Sequence, residues 1–424
     1  MSAVSEPTDR DAGRAAAPPL REPDLPRTAK DRPEARRTGW TTGTCAAVAA
    51  KAAALQLAGR AVPREVDVAL PEPFEGRLRV ALPVSSTARD DRDPPGWAEA
   101  VVVKDAGDDP DVTDGAHVTV RLERSPDTVA PDAVAPDAAR TDAVREPSLA
   151  FAAGEGVGTV TKPGLGLEVG GPAINAVPRR MIGGSVGEIL PAAALRCVIS
   201  VPGGEQMAKK TTNKRLGIVG GISILGTTGV VRPFSTASWR ASVEQQIDVL
   251  ATQGGRQVVL ATGGRSERAA MRLLPDLPEA AFVEVGDFTG AALRRAVEHG
   301  LETVRFVGMA GKLAKLAAGV MMTHWTRSKV DPAILACLTA EAGGPAETVA
   351  AVEEANTGRH AYELWTDAGL VGAVGTRLCD RVADNLARFV DGALVAHVAL
   401  VDFDSFGLVA ASAGWDTPVR GGAA

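Results

Sequence analysis

Aromatic side chains are scarce. Nine Phe, six Trp and one Tyr amount to 4% of the 424 residues. Cysteine is as sparse: Cys45, Cys197, Cys337 and Cys379 show no C-x-x-C spacing, which excludes a zinc ribbon and a disulfide scaffold. No apolar run approaches the roughly 18 residues that span a bilayer. The first residues, MSAVSEPTDRDAGRAAAPPLREPD, lack the apolar h-region of a secretory signal. An excess of positive charge is also missing: the formal net charge is −6, which argues against general nucleic-acid binding. What remains is ordinary for a soluble globular protein, with 23% charged residues and a mean hydropathy of +0.03. At roughly 150 residues per domain the length allows two or three domains. The expectation is a cytoplasmic, multi-domain α/β enzyme.

Three polar stretches punctuate the chain. Residues 1–36 are rich in Pro, Ala, Arg and Asp and too poor in large apolar side chains to offset their ordering entropy, so a disordered tail is expected. Residues 85–95 (SSTARDDRDPP) read as a polar loop, and 124–147 as a low-complexity insertion built on VAPDAVAPDAARTDAV. Residues 37–235 form a first block of α+β character with Gly-rich turns. It opens with an Ala-rich helix from Cys45 to about Leu57, closed by Gly59. Short β-branched runs follow at 66–70, 78–84, 100–104 and 118–122, then Gly-rich sequence with no helical period until about Val186.

From about 240 to 424 the pattern changes. The strands 257–262, 281–285 and 303–307 each run into glycine and then a helix. Such alternation implies a mainly parallel, Rossmann-like sheet, whose ligands sit outside the carboxyl ends of the strands. Helical stretches at 346–356 and 377–390 and an apolar strand at 394–403 complete this block without visible chemistry.

Several constellations are chemically suggestive. Thr41, Thr42 and Thr44 precede the Ala-rich helix, where hydroxyls and free amides either cap it or hold an anion. Cys45 there is either a favoured thiolate or a small buried residue. Asp105, Asp108, Asp109 and Asp111 crowd a turn with Gly107 and Pro110; close like charges raise at least one pKa, which suits a general acid or base, while a solvated turn is the plainer alternative. Gly154-Glu155-Gly156-Val157-Gly158 imitates a nucleotide loop, but Thr159 to Gly164 does not start a helix readily, so a dinucleotide site is rejected there. Between Lys162 and Arg215 eight basic residues face three acids, a net +5 within an acidic chain, which points to a small polyanion or to a solvated face. Thr262-Gly263-Gly264 ends one strand and Asp287 follows the next, the logic of a nucleoside site: bare backbone for close approach and an acid for ribose hydroxyls. His324 is either an acid–base group or structural.

The strings RTGWTTGTCAAVAAKAA, VVVKDAGDDPDVTDG, GEGVGTVTKPGLGLEVGGPAINAVPRRMI and SVPGGEQMAKKTTNKRLGIVGGISILGTTGVVRP resemble the cobalt-precorrin-5B methyltransferases, the CbiD family of cobalamin biosynthesis. The likeness extends more loosely through VVLATGGRS, GDFTGAAL and GKLAKLAAGVMMTH. It implies methyl transfer from S-adenosylmethionine to ring carbon 1 of cobalt-precorrin-5B, giving cobalt-precorrin-6A on the anaerobic, early-cobalt route. Cobalt would arrive within the substrate; no metal ligand set is visible in the chain. In this frame Lys162, Arg179, Arg180, Lys209 and Lys210, with Thr41, Thr42 and Thr44, would clamp the tetrapyrrole's carboxylates. The adenosyl group would suit Thr262, Gly263, Gly264, Asp287 and Gly308, and Asp105, Asp108, Asp109 or His324 would manage a proton. The partner is then a small tetrapyrrole, without nucleic acid or membrane, and a homo-oligomer is compatible. Three positions depart from the expected pattern: Asp114 in place of His within T-H-G, Met309 where G-H-x-G-K-L is expected, and Met322 where N-T-H-S is expected. A corrinoid carrier that has lost catalysis, and an NAD(P)-linked tetrapyrrole reductase, are the alternatives.

Overall fold

The computed structural model describes residues 19–23, 37–71, 73, 77–124, 147–326 and 328–416. The insertion expected at 124–147 lies outside the described residues apart from its two ends, as does most of the expected tail. Residues 19–23 differ from that expectation. Arg21 bridges Val320, donating to the Gly319 carbonyl at 2.9 Å and accepting from Met321 at 2.9 Å, and Glu22 pairs with Arg294 at 2.5 Å. Backbone pairing orders a short segment that composition alone leaves unstructured. The described chain forms two compact units, one of residues 37–255 with 278–281, the other of 19–23, 256–277 and 282–416.

The first unit is built on a five-stranded sheet of β1 (Ser86–Arg89), β2 (Trp97–Val103), β3 (His117–Arg124), β4 (Ser148–Ala153) and β5 (Ala194–Ser200). Its order is β1-β2-β3-β5-β4, antiparallel except for β4 beside β5. Alternation buries Val118, Val120 and Leu122 of β3 and Ala98, Ala100 and Val102 of β2 on one face. Helix α1 (Thr42–Leu57) covers that face, and all of it but Leu55 and Gln56 is buried. A helix apolar all round must be enclosed, and alanine keeps it slim enough to lie between the sheet and helix α2 (Ala176–Gly187). Lys51 interrupts the apolar surface and is satisfied by the Asp67 carbonyl at 2.8 Å and the Glu188 carboxylate at 2.7 Å.

Two elements differ from the sequence expectation. Gly183, Gly184 and Pro178 hide α2, yet Met181, Ile182 and Val186 bury against the core and tertiary packing overrides the weak propensity. Ser86–Arg89 is a strand although every residue is polar or small and exposed, because it is an edge and needs no apolar face. Helix α3 (Thr236–Thr252) belongs with this unit, so the division falls after Gly255 rather than near 235–240.

The second unit holds β6 (Gln257–Ala261), β7 (Phe282–Glu284), β8 (Thr303–Gly308), β9 (Val395–Val401) and β10 (Leu408–Ala411). The order is β7-β6-β8-β9-β10; four strands are parallel and β10 is antiparallel. The sheet is mixed, as is the whole α/β fold. Its helices are α4 (Gly264–Leu273), α5 (Thr289–Glu298), α6 (Ala310–Ala317), α7 (Pro332–Glu341), α8 (Ala346–Glu353), α9 (Gly358–Asp367) and α10 (Val371–Phe389). β8 is buried along its whole length, as a central parallel strand requires. Among the described residues no helix is long and apolar enough to cross a membrane.

Candidate functional site

The acidic turn joins β2 to β3. Lys104 is 2% exposed, and its ammonium pairs with Asp111, whose second oxygen accepts from the Thr113 amide at 2.8 Å and hydroxyl at 2.6 Å. Burial would raise the Asp111 pKa, but the Lys104 charge and these hydrogen bonds outweigh it and hold it below the ordinary carboxylate value. Asp105 pairs with the Arg37 guanidinium, which lowers its pKa, and accepts from the Gly107 amide at 2.9 Å. Asp108 accepts from the Arg37 amide at 2.8 Å, and Asp114 from the Ala106 amide at 2.8 Å. Segment 37–40 lies so close that a Cβ on Gly39 would meet the Ala106 carbonyl carbon at 2.1 Å. Asp105 and Asp108 thus fasten this segment. Asp109 differs: it accepts from the Phe234 amide at 2.7 Å, and burial raises its pKa.

The threonines before α1 are engaged as well. The helix begins at Thr42, earlier than expected, and Thr41 caps it by accepting from the Thr44 amide at 3.2 Å. Thr42 donates to the Leu225 carbonyl at 3.1 Å and Thr44 to the Gly229 carbonyl at 2.7 Å. These hydroxyls clamp the Gly-rich loop 225–229 rather than stand open to a ligand. Cys45 is enclosed in the core and its thiol is pushed up to about 12 by burial, which overrides the helix terminus as a thiolate stabiliser.

The basic residues separate into two groups. Lys209 and Lys210, with Gln206, Met207, Gly203 and Val112, line a hollow of about 380 Å³ beside the acidic turn. Lys209 donates to Gln206 at 2.8 Å, whereas Lys210 is exposed and without a partner among the described residues. Arg180 is likewise exposed and unpartnered there. Arg179 is spent locally: it donates to the Ile174 carbonyl at 2.8 Å, stacks over Phe151 at 5.1 Å, and burial lowers its pKa. The Lys162 stem lies against Gly217, where a Cβ would meet it at 2.5 Å.

In the second unit a cleft of about 730 Å³ opens at the carboxyl ends of β6 and β8, lined by Thr262, Met309, Lys312, Lys315, Lys329 and Arg359. Its far wall is Glu353–Gly358, and Gly358 approaches Gly311 so closely that a Cβ there would lie 2.7 Å from the Gly311 Cα. The amino-terminal ends of α6 and α9 meet at this wall with four cations around them, of which Lys312 pairs with Asp287 and Arg359 with Glu363 at 2.9 Å; Lys315, Lys329 and the helix ends suit an anionic group, and Glu353 and Glu354 stand on the same wall. Lys315 donates to the Thr323 carbonyl at 2.9 Å; burial, then the neighbouring Lys312 charge, lowers its pKa. Lys312 and Lys315 stand in the GKLAKLAAGVMMTH string, but no motif marks Lys329 or Arg359, and the contact of α6 with the start of α9 brings all four to one cleft.

The expected adenosyl corner is rearranged. Thr262 meets the Ser266 hydroxyl at 3.1 Å. Asp287 accepts from Lys312 and, at 3.0 Å, from the Thr323 hydroxyl, so it ties α6 to the turn after β7 instead of reaching toward the glycines. Glu284, at the end of β7, takes the place next to them: a Cβ on Gly263 or Gly264 would lie 3.9 Å from its carboxylate oxygens. Gly308 is buried beneath Leu313, where a Cβ would meet the side chain at 3.0 Å; it makes room for α6 rather than lining the cleft. His324 is buried, with Nδ1 2.8 Å from the Thr326 hydroxyl, and Ser328 rather than His324 reaches the cleft. Of the departing positions, Met322 is core, Asp114 braces the acidic turn, and Met309 alone lines the cleft.

A cleft at the carboxyl edge of the second unit's strands, and on the first unit a hollow lined by two lysines, mark a mixed α/β protein with pockets of small-molecule size. The chain belongs to the CbiD family. The family profile CbiD matches residues 29–233, and the profile CbiD, C-terminal domain, matches residues 322–412. Its relatives include the cobalt-precorrin-5B C(1)-methyltransferase of Salinispora arenicola, 62% identical over 94% of this chain and 98% of that one. That of Rubrobacter xylanophilus is 59% identical over 93% and 96%, and that of Thermus thermophilus 43% over 87% and 92%. A crystal structure of the cobalamin biosynthesis protein CbiD from Archaeoglobus fulgidus aligns at 23% identity over 79% of this chain and 85% of that one, with a TM-score of 0.33.

Proposed function

We propose that this protein is a C-methyltransferase that takes a methyl group from S-adenosylmethionine and places it on ring carbon 1 of cobalt-precorrin-5B. The observation that carries this is 62% identity, across 94% of the chain, to a relative named for that activity. Nothing among these relatives favours a non-catalytic carrier. The second unit supports a Rossmann-like donor site. Its cleft lies at the carboxyl edge of parallel strands, within the roughly 300–1,000 Å³ of small-molecule sites, and the lining fits the donor's groups: cations for the carboxylate, Glu353 and Glu354 for the ammonium. When bound, S-adenosylmethionine supplies an electrophilic methyl on a sulfonium.

The chain's own residues then have three tasks. Lys209 and Lys210 hold acetate or propionate arms of the tetrapyrrole, each a charge-assisted contact at the hollow's rim. Asp109, with its raised proton affinity and a position fixed by the Phe234 amide, accepts or returns the ring proton. The cleft walls exclude water and orient the donor, which is the main lever for an in-line displacement. Four cysteines without a disulfide suit a reducing cytoplasm. Anaerobic incubation with cobalt-precorrin-5B, with and without S-adenosylmethionine, tests the assignment by mass spectrometry. One added methyl only with the donor is the expected result; an unchanged mass with both present overturns it.

A further inference from the structure

We infer that residues 19–23 are a positioning strap for the donor cleft. By pairing with 319–321 and pressing Glu22 onto the first turn of α5, they fix Thr323 and, through it, the cleft residues Lys312 and Lys315. This rests on the reading of the second unit as the donor site. The segment 319–323 follows α6, and two partners hold it. Arg21 is the first, donating to the Gly319 carbonyl and accepting from the Met321 amide, both at 2.9 Å. The turn into α5 is the second: the Met321 carbonyl accepts from the Gly290 amide at 3.0 Å, and the Thr323 amide donates to the Asp287 carbonyl at 3.1 Å. Thr323 is where this pairing reaches the cleft. Its carbonyl accepts from Lys315 at 2.9 Å, and its hydroxyl accepts from Lys312 at 3.1 Å while donating to Asp287 at 3.0 Å. Both lysines line the cleft. A segment with unpaired backbone opens locally at little cost, so pairing with the strap narrows the positions open to 319–323 and to the two ammonium groups it holds.

Gly290 supports the strap from an independent direction. It is the second residue of α5 and its φ is not positive, so conformation does not require glycine there, and glycine weakens a helix. The three atoms that a Cβ at Gly290 would meet first all belong to the Glu22 carboxyl group, at 2.7, 2.8 and 3.1 Å. The same carboxylate pairs with Arg294, one turn further along α5, at 2.5 Å, and the Arg294 guanidinium lies over the Phe389 ring at 5.3 Å. α5 thus keeps bare backbone where the strap presses on it. The strap lies ahead of residue 29, where the match to the family profile begins.

The test is calorimetric titration of the full chain with S-adenosylhomocysteine, with hydrogen exchange at the Met321 amide reporting whether the strap is docked. Arg21→Pro removes the donor to Gly319, Glu22→Ala removes the carboxylate, and Gly290→Ala expels it sterically. A net hydrogen bond is worth about two- to tenfold, so each single variant should bind the probe about three- to tenfold more weakly. Exchange at Met321 should quicken in Arg21→Pro, and Glu22→Ala with Gly290→Ala should bind no more weakly than Glu22→Ala alone. In turnover the KM for the donor should rise while kcat and the KM for the tetrapyrrole hold. Natural affinity in Arg21→Pro and Glu22→Ala, despite faster exchange at Met321, shows a strap that positions nothing and overturns the inference while the donor site stands. An unprotected Met321 amide in the natural protein overturns it too, and additive losses in the double variant overturn the contact of Glu22 with α5. Absence of probe binding by the natural protein removes the donor site and this inference with it. Should Arg21→Pro fail to fold, Glu22→Ala and Gly290→Ala decide.

Discussion

Replacing Lys104 by Met strands a charge. The Lys104 side chain is 1% exposed and that of Asp111 25%, so the pair is shielded from solvent and its loss is not softened by screening. In Lys104→Met the Asp111 carboxylate keeps its two bonds from Thr113 but loses its cation, at a cost of about 3–5 kcal/mol near pH 7. The pH dependence follows from the direction of the shift. In the natural protein Asp111 titrates below its usual 3.8, so its contribution is complete above that value and is lost as pH falls through the folded pKa. Without Lys104 the largest opposing charge to burial is gone and only the Thr113 bonds still lower the Asp111 pKa, so it moves up from its natural position and the deficit of the variant shrinks as pH falls through it. Adding Asp111→Asn removes the stranded charge, and the double variant should recover about 1–3 kcal/mol relative to the sum of the single ones. Urea denaturation of the four proteins at pH 7 and pH 4.5, followed by tryptophan fluorescence, measures each value. A cost below about 1 kcal/mol for Lys104→Met, or strict additivity, would refute a coupled buried pair.

Asp109→Asn keeps an acceptor for the Phe234 amide, so folding should survive while kcat falls by about a hundredfold or more; an unchanged kcat in the methyl-transfer assay removes Asp109 from the reaction. Lys210→Glu places a like charge before the tetrapyrrole's carboxylates and should raise KM about tenfold with no change in Tm, because the Lys210 ammonium has no partner among the described residues. Iodoacetamide at pH 8 should alkylate the native protein at Cys337 alone, since Cys45, Cys197 and Cys379 are buried with thiols pushed up to about 12; peptide mass spectrometry showing early label on Cys45 contradicts the enclosed α1.

Legibility in the sequence follows the range of the interactions. The β6–α4, β7–α5 and β8–α6 succession is visible because periodicity and glycine punctuation act within a dozen residues. α1 is visible too, since alanine favours helix wherever it stands. α2 is not, because two glycines conceal a helix that packing, chiefly on α1, stabilises. Among the candidate site residues, Lys209 and Lys210 share a hollow with Val112 of the acidic turn, and the roles of the acids in that turn diverge. Asp105 and Asp108 bind Arg37, about 70 positions away, and no local pattern announces that partner.

The residue order alone specifies the family, the strand–helix rhythm and the types of charged group available, because these depend on local propensity and on long distinctive strings. It leaves open which of several similar groups is free to act. Thr42 and Thr44 read as anion ligands until the chain returns, 183 and 185 residues later, and consumes their hydroxyls. Asp287 reads as the ribose acid until α6 brings Lys312 to it, while strand pairing sets Glu284 beside the glycine turn. The cleft exists only where α6 meets the 353–359 loop. A polar side chain's function is settled by what already satisfies it, and in a folded chain that partner is most often supplied from far along the sequence.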